Sequence, residues 1–156
     1  MRKLVTLVYF TRGRQVALAV KKTKIGEGKL CGWGGKKKGN ETLPECAARE
    51  ALEEAHVYAD VSDLVHVGQI LFSNGGKEFD CSVYFLTQWG GAITETDVMG
   101  PPEWFDFDNV PFDRTMLGDI HWFPLLTPGF MVHASIAYGN NFASVHVNYA
   151  RREKNP

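Results

Sequence analysis

The tightest constraint on the fold lies in residues 34–57, where a run of glycines and lysines gives way to an acid-loaded segment of helical period. Thr42 followed three residues later by Glu45 is a capping box, in which side chain and backbone satisfy each other's unbonded donors. Pro44 is tolerated there, because a first-turn residue has no helical acceptor for the N–H that proline lacks. The segment is predicted to enter a short helix at Thr42, preceded by a loop whose glycines allow close backbone approach.

Glu50, Glu53 and Glu54 stand at i, i+3 and i+4, and at about 100° per residue they share one arc of that helix. Ala47, Ala48, Ala51, Leu52 and Ala55 fill the neighbouring arc, so that one side can lie on a core while the carboxylates project from its border. A solvated helix in which Arg49 pairs with Glu45 or Glu53 at i,i+4 would also fit these acids. Three like charges this close repel, however, and divalent cations would relieve the repulsion. Hard oxygen ligands suit Mg²⁺, with Mn²⁺ as the alternative; both ions favour diphosphates as partners.

The full spacing is more specific than the acids alone. Gly35, Glu41, Arg49-Glu50, Glu53-Glu54 and Val57, at the intervals they keep here, resemble the signature of the Nudix hydrolases, which cleave diphosphates linked to another moiety. Two positions depart from the family pattern: Ala51 is smaller than the usual aliphatic residue, and His56 stands where glycine is usual. Leu52 is expected to supply the missing bulk. His56 is expected to alter the helix exit without removing a metal ligand, since a left-handed residue past a helix end costs histidine more than glycine.

A chain of 156 residues with 44% hydrophobic content can bury one full core but not two ordinary ones, so one domain over residues 1–156 is expected. The net charge is −1 and the basic residues are dispersed, apart from Lys36, Lys37 and Lys38. That gives no support to extended nucleic-acid or anionic-membrane binding and leaves free nucleotides as partners. Cys31, Cys46 and Cys81 are odd in number and unpaired by motif, which points to reduced thiols in a cytoplasmic setting. The apolar run after Arg2 and Lys3 is too short for a signal peptide or for the roughly 20 residues of a membrane span. Oligomeric state is not legible.

In chain order, residues 4–10 read as a buried strand, residues 11–14 as a turn, and residues 15–20 as the second arm of a hairpin. Residues 64–72 and 79–87 flank a strong turn at Asn74-Gly75-Gly76, and residues 103–107 form a short strand. A second helix is predicted over 116–126, followed by a closing hairpin of 131–138 and 142–149 around Gly139-Asn140-Asn141. Strands with two separated helices point to an α/β fold. The family resemblance implies the same: an α/β/α sandwich with a mixed β-sheet and two main helices.

Outside the signature, the chain is similar to the branch of that family that hydrolyses oxidised purine nucleoside triphosphates. The likeness rests on ordered blocks: Thr6-Leu7-Val8, Lys21-Lys22, Gly32 to Lys36, Val67 to Ile70, Trp104-Phe105, Val110 to Phe112, and Trp122 to Leu126. It implies a base pocket contacted by Thr6, Phe72 and Asp119, and a substrate loop with Lys21, Trp33, Gly35 and Lys36. It also implies a Gly34 backbone contact to metal beside Glu50, Glu53 and Glu54, with Arg49, Glu50 and Glu53 as catalytic residues. Arg49 would orient a glutamate and Glu53 or Glu50 would act as base. Three pocket positions differ from the pattern: Cys31 for an asparagine, Met116 for a stacking tryptophan, and Gly118 for the first of two adjacent aspartates. Either Glu95 or Asp97 would supply a further acid.

Overall fold

The computed structural model describes residues 2–156. Among these residues eight strands form one mixed sheet: β1 (Arg2–Arg12), β2 (Gln15–Val20), β3 (Leu30–Cys31), β4 (Leu64–Asn74), β5 (Lys77–Leu86), β6 (Glu103–Asp106), β7 (Phe130–Tyr138) and β8 (Val145–Lys154). Their order is β3-β2-β1-β5-β4-β7-β8, with β6 pairing β2. β1 runs parallel to β5 and β4 parallel to β7, whereas the remaining pairs are antiparallel.

Alternation along the strands divides the core into two layers. Val8 and Phe10 point to one face, where helix α1 (Leu43–Ala55) packs Ala47, Ala51 and Ala55 against them. Tyr9 points to the other face and joins Ile70, Val83, Trp122, Phe123 and Ile136 beneath the second helical segment. Successive strand side chains necessarily face opposite ways, so a single sheet presents two apolar faces and needs a cover on each. This is the α/β/α sandwich expected from the sequence.

Helix α1 begins as its sequence requires. Thr42 Oγ1 accepts from the Glu45 N–H at 3.2 Å, and Thr42 N–H donates to Glu45 Oε1 at 2.7 Å. Glu45 is therefore spent on the cap and does not pair with Arg49. Leu52 lies exposed, so it does not compensate for the small Ala51, which is fully buried against the aromatic and aliphatic side chains of that layer. His56 adopts the left-handed conformation itself, with φ 57° and ψ 34°, and its N–H closes the helix onto Leu52 O at 3.1 Å. The exit is thus the one a glycine would make, with the strain carried by histidine.

The second helix is much shorter than residues 116–126. α2 spans Asp119–Trp122 and passes into a 3₁₀ turn at Phe123–Leu125. Pro124 has no N–H for a continuing α-helical bond, and the apolar spacing that predicted a longer helix reflects burial of Trp122, Phe123 and Leu126 under the sheet. Phe142 likewise belongs to the β7–β8 connection rather than to a strand, with a positive φ of 58°.

Candidate active site

The glycine-lysine loop is fastened along β1 before it reaches α1. Thr6 N–H donates to Gly35 O at 2.9 Å, Val8 N–H to Trp33 O at 2.6 Å, and Lys37 N–H to Leu4 O at 3.0 Å. The approach is so close that a Cβ on Gly34 would stand 1.8 Å from Thr6 O, and one on Gly35 would stand 2.5 Å from Glu50 Oε1. Both glycines are needed for space: the first lets backbone meet backbone, the second lets a carboxylate rest against the loop.

Arg49 ties the loop to the acids. Its Nε and Nη2 donate to Glu41 Oε2 and Oε1 at 3.0 and 2.7 Å, its Nη1 donates to Glu50 Oε1 at 2.9 Å and Glu53 Oε2 at 3.1 Å, and Nη2 also reaches Lys36 O at 3.0 Å. The guanidinium holds the Glu41 carboxyl down at about 2, and the carboxylates in turn raise the Arg49 pKa above its ordinary value. A planar fork matched to several carboxylates is the geometry in which arginine exceeds lysine.

Glu54 is held differently. Its Oε1 accepts from Gly34 N–H at 3.2 Å, while burial, with the neighbouring Glu50 charge next in size, pushes its carboxyl up to about 7. Glu50 is nearly enclosed, with 9% of its side chain exposed, whereas Glu53 is 50% exposed. Among the described residues no three acidic, histidine or cysteine side chains converge at metal-ligand distance, because Arg49 draws Glu50 and Glu53 while Gly34 draws Glu54. The donor chemistry nevertheless fits a hard divalent cation: carboxylate oxygens crowded together, one of them made costly to ionise by burial.

These groups line a cleft of about 600 Å³ that continues between the sheet and α2. It brings together Thr6, Lys21, Cys31, Gly34, Gly35, Lys36, Glu50, Glu53, Glu54, Phe72, Met116 and Asp119. Asp119 is buried and its carboxyl is pushed up to about 7 by desolvation. Cys31 lines the same cleft, its thiol raised to about 12 by burial, which outweighs the lowering charge of Lys21. Phe72 packs edge-on against Trp122 at 5.9 Å.

Two residues expected in the pocket, Trp33 and Gly118, lie elsewhere. Trp33 is fully buried on the α1 face, 4.8 Å from the Phe10 ring, and is not among the residues that line the cleft. Arg49 stands behind the cleft lining, where it was expected, bonded to Glu50 and Glu53. Gly118 has no exposure to the cleft wall, since Ile136 and Tyr138 close over the place where its side chain would be. Neither Glu95 nor Asp97 lines the cleft; Glu95 pairs with Lys22 at 2.6 Å, and Thr96 between them donates to Glu54 O at 3.0 Å.

The sequence reading missed Lys3, Lys24 and Lys77, which join Lys21, Lys36 and Lys38 along the cleft, and it missed Trp122 and Tyr138. Lys3 holds the Lys36 ammonium below the usual lysine range, as expected of adjacent cations. Lysines spread between residues 3 and 77 have no shared spacing to reveal their convergence.

The model of the NUDIX domain matches residues 1–126. The chain belongs to the Nudix hydrolase family. A zebrafish (Danio rerio) relative named oxidized purine nucleoside triphosphate hydrolase is 38% identical over 126 residues, covering 80% of this chain and 79% of that one. A mouse (Mus musculus) relative of the same name is 36% identical over the same length, with the same coverage. Among solved structures, a mutator MutT protein from Bacillus halodurans has a TM-score of 0.77 at 20% identity and covers 99% of each chain. A MutT Nudix hydrolase from Burkholderia pseudomallei has a TM-score of 0.65 at 19% identity, over 71% of this chain and 88% of that one. These structures share the Nudix fold. Helix α1 and its preceding loop lie inside the matched domain, whereas β7 and β8 lie beyond it. Among the described residues no helix is long and apolar enough to cross a membrane.

Proposed function

We propose that this Nudix hydrolase cleaves nucleoside triphosphates, oxidised purine forms among them, to monophosphate and pyrophosphate, and so clears damaged precursors from the cytoplasmic nucleotide pool. The observation that carries this reading is a single cleft with clustered carboxylates and lysines in one part and an aromatic pocket with a buried Asp119 in another. The names of the zebrafish and mouse relatives support the same substrate class.

Glu50, Glu53 and Glu54, with the Gly34 carbonyl, would hold Mg²⁺, and Mn²⁺ in its place. The ion supplies charge neutralisation at the phosphate oxygens and a lowered pKa for bound water. The chain's own groups do the remaining work. Lys21 and Lys36 draw the polyphosphate into the cleft. Arg49 fixes Glu50 and Glu53 in orientation from behind. Glu53, the half-exposed member, takes the proton of the attacking water, while the enclosed Glu50 stays against Gly35. Phe72 and Met116 pack on the base, and Asp119 meets its polar edge.

Steady-state hydrolysis of 8-oxo-dGTP, 2-hydroxy-dATP and the normal triphosphates with Mg²⁺ tests the proposal. A clear preference for an oxidised purine supports it; equal, weak rates on every triphosphate defeat it. A second reading is a nucleoside diphosphate joined to another moiety. A groove lined by Lys24, Ile25, Met116, Leu117 and Phe142 adjoins the base pocket and leaves room for a larger substrate. ADP-ribose in the same assay separates the two.

A further inference from the structure

Gly118 has φ −80° and ψ −14°, a conformation open to any residue, so backbone freedom does not explain glycine there. Space does. A Cβ on Gly118 would meet Ile136 Cγ2 at 2.6 Å and the Tyr138 hydroxyl oxygen at 2.7 Å. The volume a side chain at position 118 would take is filled by Tyr138, whose hydroxyl accepts from Gly118 N–H at 3.0 Å.

Tyr138 ends β7, beyond the matched Nudix domain, and its ring lies 6.4 Å from Phe72 and 5.4 Å from Phe142. It lines the cleft beside Asp119 and Trp122. The hydroxyl stays protonated, because burial, with the Asp119 charge next, raises its pKa far above the ordinary phenol. Since one lone pair is taken by the Gly118 N–H, the O–H proton is the group's spare hydrogen-bonding capacity. Trp122, 1% exposed, turns its indole N–H toward the Asp119 carboxyl and partly offsets the rise that burial causes there. Buried donors are ordinarily satisfied, so the unused O–H of Tyr138 marks a place where a ligand supplies an acceptor.

We propose that the Tyr138 hydroxyl is a base-reading group of this cleft, donating to a carbonyl oxygen or ring nitrogen on the edge of a purine. Gly118 is the residue that admits it. The pocket then reads its base with one carboxyl, Asp119, and one neutral donor, Tyr138. Such a set favours purines carrying added carbonyl acceptors over bases that present an amino group at the same edge, because a mismatched donor leaves buried partners unpaired. This rests on the nucleotide reading of the cleft given above.

The test compares Tyr138→Phe and Gly118→Ala with the parent protein on a panel of purine triphosphates and on a base-less ribose 5-triphosphate. The readout is the ratio of kcat/KM for the preferred purine to that for the base-less compound. We expect Tyr138→Phe to lower this ratio about tenfold, mainly through KM. Gly118→Ala should do the same by displacing the ring, and it carries the test if Tyr138→Phe fails to fold. An unchanged ratio in both variants, or an equal loss on every compound, overturns the assignment. Calorimetric binding of the corresponding purine monophosphates and ribose 5-phosphate repeats the comparison without turnover. A parent protein that hydrolyses nothing, yet binds purines more tightly than Tyr138→Phe does, defeats the hydrolytic reading and supports the base-reading one. Equal purine affinity in parent and variant overturns the latter.

Discussion

Arg49 and Glu41 meet as two parallel forks, Nε to Oε2 at 3.0 Å and Nη2 to Oε1 at 2.7 Å, across eight residues of sequence. The pair fixes where the helix begins relative to the loop that feeds it, and the free edge of the same guanidinium then aims Glu50 and Glu53. Arg49→Lys keeps the charge and loses the fork. Misplacing the glutamates by about 1 Å is expected to lower kcat about 10²-fold with KM little changed, as measured by steady-state hydrolysis at saturating Mg²⁺.

Glu41 has a folded-state pKa of about 2 against an ordinary 4.5. Its contribution to stability is therefore full above pH 4.5 and is lost as pH falls through about 2. Glu41→Gln should flatten that acid limb, and denaturation followed by circular dichroism from pH 5 down to about 2 checks it.

Glu54 behaves in the opposite sense. Its folded pKa of about 7 lies above the ordinary 4.5, so with metal chelated its contribution is full below pH 4.5 and disappears as pH rises through 7. Glu54→Gln should melt higher than the parent above pH 7 in chelator while losing metal-dependent turnover. Added Mg²⁺ should raise the melting temperature of the parent and not of the variant, because a cation favours the ionised carboxylate.

The adjacent glycines of the loop separate folding from activity. Gly35→Ala presses on the end of a movable carboxylate, Glu50, so stability should change little while kcat falls about 10²-fold. Gly34→Ala drives a methyl into the Thr6 carbonyl and cannot be absorbed by a rotamer; it should cost about 3 kcal/mol or more by urea unfolding. Equal stability of the two variants would contradict the close approach of loop and β1.

His56 is an exposed residue held at positive φ. His56→Gly should stabilise the protein by about 0.5–1 kcal/mol in thermal unfolding, with activity retained.

Helix α1 was legible in the sequence because its signals are local: a capping box, a proline in the first turn, and acids at helical spacing. Most strands were legible from apolar runs and alternation; the two-residue β3 was not, because Leu30 and Cys31 sit in a stretch of glycines and lysines that reads as a loop, and the pairing was not, since parallel partners such as β1 and β5 lie far apart in the chain. The 116–126 segment misled because apolar residues buried under a sheet can mimic helical spacing, and Pro124 decides against the helix. Trp33 was expected at the substrate from the family resemblance alone, yet adjacent residues of an extended segment face opposite ways and its side chain points into the core. Tyr138 escaped notice because its role follows from what is missing at Gly118, twenty positions earlier.

The walls of the cleft are drawn from nearly the whole chain, with Lys3 at one extreme and Phe142 at the other. During synthesis the acidic helix emerges long before β5 can pair with β1, and the base pocket waits further still for β7. Contacts this distant in sequence form slowly. A chain released before its last strands would carry its acids without Tyr138 and the wall that β7 gives the cleft, so the cleft is complete only once β7 is in place.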